Sequence, residues 1–160
     1  MAFIRDIFAA GKPLVGICFG HQIIAHALGG YAAKFDGGWG IGTMPIKMVG
    51  KADWIPADIE QVDLIHVHQD QVITLPPEAV RLAYSDFCQN AAFAIGKKVF
   101  AIQGHPEFTP AYTNALINIR EDKIGKDRAA KARISLQKPH DGCRVGGWIL
   151  DFFAGYDRAA

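Results

Sequence analysis

The sequence predicts an α/β fold with a mostly parallel sheet, and three observations point to it. The run Leu14-Val15-Gly16-Ile17 is apolar at every position, so both its faces must be covered, as happens to a central parallel strand with a helix layer on each side. It passes through a glycine-flanked turn straight into HQIIAHALGG, whose apolar residues recur with helical spacing. Finally, 160 residues with 50% hydrophobic and 21% charged side chains suit one globular domain that can bury a sizeable core.

Taken in order, Phe3, Ile4, Ile7 and Phe8 mark an amphipathic helix over residues 3–10, stopped by Gly11 and Pro13 and packed on the sheet. The helix after the turn runs over residues 21–28, faces the core with Ile24, Ala27 and Leu28, and ends at Gly29-Gly30. Residues 31–49 hold glycine at 37, 38, 40 and 42, which predicts strands joined by close turns. No Lys-Ser/Thr follows in P-loop register, so these glycines are structural. A helical turn then leads into a strand over 62–67, followed by His68-Gln69-Asp70-Gln71-Val72, a loop at Pro76-Pro77 and a strand over 79–85.

Residues 91–95 and 98–103 flank Gly96-Lys97 as a β-hairpin. A helix over 110–120 starts with Thr109 as N-cap and Pro110 at its first position, with Tyr112, Ala115, Leu116 and Ile119 as its apolar face. The charged stretch 121–138 reads as a solvated helix or helix pair, a surface and not a site. Residues 145–153 are apolar enough to dock on the core. The domain expectation is a single unit over 1–160, with 121–160 as a C-terminal helical extension.

Seventeen basic against sixteen acidic residues leave a formal charge of +1, which draws the chain neither to nucleic acid nor to an anionic membrane. No apolar run is long enough to span a bilayer, and Arg5 and Asp6 interrupt what would be a signal's apolar core. Three cysteines, at spacings of 70 and 55, form neither a disulfide framework nor a metal knuckle. Together these predict a cytoplasmic protein. His66 and His68 share one face of a strand, but a histidine pair without a third ligand does not make a zinc site. The two serines, Ser85 and Ser135, lie outside any G-x-S-x-G motif, which disfavours a serine hydrolase.

The chemistry concentrates at Gly16-Ile17-Cys18-Phe19-Gly20, a nucleophile elbow with cysteine in place of serine. Glycines two residues either side leave room for the strained bend and for substrate. The amides and dipole at the start of the next helix favour a thiolate and a developing oxyanion. A cysteine nucleophile needs a base and a group that orients the base. His105 and Glu107, two residues apart in an extended segment, project to one side roughly 6 to 7 Å apart, and Pro106 holds His105 in the β region. The expected triad is Cys18, His105 and Glu107.

GICFGHQ at 16–22 and GHPEF at 104–108, with HQDQV at 68–72 between them, resemble the signatures of the class I glutamine amidotransferases, and over residues 3–120 the chain is similar to the glutamine amidotransferase domain of GMP synthase and to stand-alone γ-glutamyl peptidases. The resemblance implies a flavodoxin-like, three-layer domain in which Cys18 attacks the side-chain amide of glutamine. His105 protonates the departing ammonia, Glu107 orients His105, and water hydrolyses the γ-glutamyl thioester. It implies the backbone N–H of Phe19 as oxyanion donor and puts Gln22, Gln69 and Asp70 near the glutamine pocket, with no cofactor and no metal.

Against the family pattern, on the order of 60 residues of strand-helix units are absent before the nucleophile strand, among them the loop that supplies a second oxyanion N–H. Met1 is therefore expected to be an internal methionine of a longer chain, or the chain a truncated copy, and uncovered sheet edges invite self-association. Three functions follow from the resemblance: an amidotransferase handing ammonia to a synthetase in trans, a γ-glutamyl peptide hydrolase that needs no acceptor, and a catalytically silent, partner-dependent subunit.

Overall fold

The computed structural model describes residues 1–157. Helix α1 (Ala2–Ala9) precedes strand β1 (Leu14–Ile17) and helix α2 (Phe19–Ala27). Strands β2 (Tyr31–Lys34), β3 (Gly40–Met48), β4 (Gln61–His68), β5 (Asp70–Thr74), β6 (Val80–Tyr84), β7 (Ala92–Ile95) and β8 (Val99–Ile102) follow without an intervening helix. Helices α3 (Pro110–Ile124), α4 (Lys126–Ser135) and α5 (Gly142–Asp157) complete the described chain.

One sheet has six strands in the order β1-β8-β7-β6-β3-β4, and β2 pairs with β5 in a second, smaller one. The α/β class expected from the sequence holds, and the larger sheet is mixed. Among the described residues only β1 and β8 run parallel, and its other neighbours are antiparallel. A parallel pair needs a long crossover, usually helical, and between α2 and α3 the chain supplies only turns and loops.

Side chains alternate across the sheet and build a layer on each face. Phe100 and Ile102 of β8, with Val62 and Leu64 of β4, face Val145, Trp148 and Phe152 of α5. Val99 and Ala101 face Ile24 and Ala25 of α2, with Ile4 and Phe8 of α1 packed at the margin. On that same side Ile65 and Val67 meet Ile117 of α3 and Ala129 and Ala132 of α4.

Three expectations need correction. β1 is an edge strand, not a central one. Its faces are nevertheless covered, Val15 and Ile17 by the α5 layer and Leu14 by the α2 layer, and the apolar run records that coverage rather than two strand neighbours. Helix α3 turns a different face inward: Thr113 and Ile117 are buried while Tyr112 and Ile119 are 52% and 79% exposed. Residues 121–138 are not merely solvated, because Ile124, Ala129, Ala132 and Leu136 form a buried stripe against β3 and β4. Their small apolar residues are diluted by charge in the sequence, and helical spacing gathers them on one side. Thr109 caps α3 as expected, its Oγ1 accepting from the Tyr112 N–H at 3.2 Å.

Candidate active site

Cys18 sits between β1 and α2 at φ 51° and ψ −101°, alone in positive φ among the described non-glycine residues. Such a conformation costs on the order of 1–3 kcal/mol and persists only where the surroundings enforce it. Here the Cys18 N–H donates to the Ile102 carbonyl at 2.9 Å, and the Cys18 carbonyl accepts from the Gln22 N–H at 3.1 Å. The two flanking glycines do different work. A Cβ on Gly16 would lie 2.6 Å from the Gly20 carbonyl carbon, whereas one on Gly20 would meet open space. Gly16 is thus what lets the elbow close, and Gly20 leaves the approach clear.

Burial pushes the Cys18 thiol up to about 11. The Phe19 backbone N–H acts in the opposite direction, as expected at a helix start, and Gln103 assists it, while the carboxylates of Glu107 and Asp70 add to the rise. Burial wins, so the resting group at neutral pH is the thiol. Its Sγ lies 4.0 Å from the Val67 carbonyl.

His105 Nδ1 and Glu107 Oε1 are 2.7 Å apart. The carboxylate can only accept, so Nδ1 carries the proton and Nε2 is left as the basic nitrogen. The His105 N–H donates to the Ile65 carbonyl at 2.7 Å, and its ring stacks on Phe108 with centroids 3.7 Å apart and planes 10° off parallel. Strand β4 is therefore a common wall: the Ile65 carbonyl holds the histidine and the Val67 carbonyl faces the thiol. His105 is nearly buried, whereas the Glu107 side chain keeps 48% of its exposure.

Gln22 and Asp70 meet at a cavity of about 240 Å³ beside the elbow, lined also by Phe19, Ile23 and His26. Gln22 Nε2 donates to the Asp70 carbonyl at 2.7 Å and to Gln103 Oε1 at 3.1 Å. Gln69 does not line this cavity; its carbonyl accepts from the Phe35 N–H at 3.0 Å. His66 and His68 are buried and joined Nδ1 to Nε2 at 3.2 Å, and His68 Nδ1 donates to the Asp70 carbonyl at 3.1 Å. Burial lowers His68 to about 4 and holds His66 well below its ordinary value, so both rings are neutral. No group of three or more His, Cys, Asp or Glu among the described residues could hold a metal ion.

Sequence reasoning passed over two residues here. Gln103 and His21 are both fully buried, and Gln103 Nε2 and both ring nitrogens of His21 lack a hydrogen-bond partner. Burial lowers His21 to about 3. Gln103 directly precedes GHPEF, but only the pairing of β8 with β1 puts it beside the nucleophile. A second cavity, about 410 Å³, opens between residues 53–56, Lys97 and α5 and contains none of these groups.

The family model described as "Glutamine amidotransferase class-I" matches residues 1–119. The chain belongs to this family. Gamma-glutamyl peptidase 3 of Arabidopsis thaliana is 38% identical over 103 residues, which are 61% of this chain and 41% of that protein. The carbamoyl phosphate synthase small chain of Caulobacter vibrioides is 36% identical over 115 residues, 71% of this chain and 28% of that one. A crystal structure of a glutamine amidotransferase from Thermotoga maritima superimposes with a TM-score of 0.76 at 21% identity, covering 97% of this chain and 66% of that one, a likeness of fold. This class I chain thus spans about half the length, or less, of the curated relatives it matches. No helix among its described residues is long and apolar enough to cross a membrane.

Proposed function

We propose that this chain carries the glutaminase reaction of a class I amidotransferase, with Cys18 as nucleophile, His105 as acid and base, and Glu107 as its orienting group. The observation that supports this most is the strained Cys18 at the start of α2, with the Phe19 N–H acting on its sulfur, on the wall that also holds the His105 and Glu107 pair. In the reaction the Cys18 proton passes to His105 Nε2, and Sγ attacks the side-chain carbonyl carbon of glutamine. The Phe19 N–H donates to the oxyanion. The C–N bond then breaks, the His105 proton goes to nitrogen, and ammonia leaves a γ-glutamyl thioester. Water, giving its proton to His105, attacks the thioester; the C–S bond breaks and glutamate departs as the thiol is restored.

Gln22 and Asp70 form the glutamine pocket in this reading, with the Asp70 carboxylate facing the substrate ammonium, and Gln69 supports the pocket through its backbone. No cofactor enters the reaction. The chain forms a single domain in this reading, and residues 121–157 add helices to both of its layers. The cytoplasm fits the free thiols of Cys18, Cys88 and Cys143. Ammonia transfer would use a synthetase in trans. The likeness to a gamma-glutamyl peptidase favours a second reading, hydrolysis of a γ-glutamyl peptide with no acceptor, and rates on glutamine against a γ-glutamyl dipeptide separate the two.

The test is incubation with the glutamine-analogue electrophile diazo-oxo-norleucine, read by intact mass beside Cys18→Ser. One adduct, absent from the variant, is expected. No adduct on folded protein would overturn the catalytic reading in favour of a silent subunit.

A further inference from the structure

The inner side of the elbow holds a polar chain of which the proposed reaction uses only Gln22 and Asp70, as pocket residues. In the parallel β1 and β8 pair Ile17 stands opposite Ile102, and the Cys18 N–H donates to the Ile102 carbonyl. The next residue along from Ile102 is Gln103, which brings its side chain alongside Cys18. Its backbone is pinned by an N–H bond to the Ala91 carbonyl at 2.8 Å, and the residue is fully buried.

The hydrogen bonds fix which way its amide points. The Asp70 carbonyl can only accept, so Gln22 must offer its NH₂ group there, at 2.7 Å. The same NH₂ group then meets Gln103 at 3.1 Å, which requires the Gln103 oxygen on that side. The Gln103 NH₂ group is turned away from Gln22, and it has no acceptor in the protein. An unmet buried donor costs about 1–3 kcal/mol. The groups that sense the Gln103 side chain are the Cys18 sulfur and the neutral His21 ring.

The chain behind Gln22 is locked in the same manner. The Asp70 carbonyl also accepts from His68 Nδ1, so His68 Nε2 is bare and accepts from His66 Nδ1. The His66 Nε2 edge lies against Gly104, where a Cβ would come within 3.1 Å of it. From His66 to Gln103 every amide and ring has a determined orientation, and the run delivers one uncommitted N–H donor beside the nucleophile.

We propose that the Gln103 side-chain amide donates a hydrogen bond to Cys18 Sγ when the sulfur carries negative charge, both as attacking thiolate and as the leaving group of the thioester. Gln22 holds it in that orientation. The inference deepens the proposed function and rests on it for the thioester step. A fixed donor in a buried site needs no reorganisation as charge appears, which is where such a bond counts most.

The test is the rate of Cys18 alkylation by iodoacetamide against pH, a reaction that needs neither glutamine nor His105. It is run with Cys143→Ser in every protein, and thermal melting is recorded beside it. A hydrogen bond to a charged group corresponds to about 10- to 100-fold in equilibrium. Gln103→Met, with no donor, should react about 10- to 100-fold more slowly than the parent at every pH. Gln103→Glu keeps an O–H donor while its carboxyl is protonated, so it should follow the parent at low pH and fall below it by about the same factor as the new acid ionises. A purely packing role would lower the melting temperature and leave the Glu profile parallel to the parent. Should Gln103→Met not fold, Gln22→Met, which removes the orienting bond and the bond to the Asp70 carbonyl but keeps the Gln103 amide, is expected to slow alkylation severalfold. Parallel or superimposed profiles in the folded variants would overturn the proposal. Failure of the catalytic reading would show separately, as a Cys18 that alkylates but takes no diazo-oxo-norleucine.

Discussion

His105 and the pair His66 and His68 are the same residue type in one site, His105 in an outer set with Glu107 and the pair in an inner one, and their surroundings make them opposites. His105 is bonded to a carboxylate that is half exposed, a charged partner that the other two lack. His66 and His68 are sealed in, bonded to each other and to a backbone carbonyl, and burial keeps them neutral. The outer set has the carboxylate partner that the proposed proton transfers need; the inner can only present fixed dipoles. The division shows that a histidine near a nucleophile is a base only where a partner and solvent support its charged form.

The largest test of that division is His105→Gln. Losing the proposed general acid and base should lower the rate of diazo-oxo-norleucine capture by about 10²- to 10⁴-fold, with the unfolding free energy changed by no more than the roughly 3 kcal/mol of an ordinary substitution. A large loss of stability instead would place His105 with the structural histidines. The second test is acid unfolding. His21, His66 and His68 are neutral in the fold and take up protons near 6.5 when unfolded. The unfolded state binds more protons, so their contribution is complete above pH 6.5 and is lost as pH falls below it. Between pH 7.5 and 5.5 the three together should cost on the order of a few kcal/mol, measurable by urea unfolding at the two pH values. His68→Gln should make that slope shallower, and an unchanged slope would contradict buried neutral rings.

Much of the outer side was legible in the sequence. Gly16, Cys18 and Gly20 announce the elbow, and the i, i+2 spacing of His105 and Glu107 across Pro106 is the spacing that brings their side chains within 2.7 Å. The contact of Gln22 Nε2 with the Asp70 carbonyl could not be read from their motifs, and Gln69 is not among the residues that line their cavity. The inner side was hidden because it depends on strand pairing: Gln103 reaches Cys18 only through the β1 and β8 register, 85 positions along the chain. The α3 face was misread because Tyr112 and Ile119 are bulkier signals than Thr113, and tertiary packing decides which side is covered. Charge density likewise concealed the small buried residues Ala129 and Ala132. The resting thiol also went against expectation, since the pull of a helix start can be read from sequence and the depth of burial cannot.

The smallest expected effect tests the scaffold of the outer side. Thr109→Ala removes the cap of the helix that follows His105 and Glu107, and should cost about 1 kcal/mol in urea unfolding. It should leave the acid slope of the inner histidines intact.

The most direct measurement is iodoacetamide alkylation of Cys18 against pH without substrate, in a Cys143→Ser background and read by intact mass. Cys88, buried and pushed up to about 12, should stay silent. With Cys18 held near 11 by burial, the rate should rise about tenfold per pH unit from pH 6 to 9 with no plateau. A plateau across pH 5 to 8 would mean a standing thiolate paired with protonated His105. That would contradict the claim that burial, rather than the helix start, sets the resting state of this nucleophile.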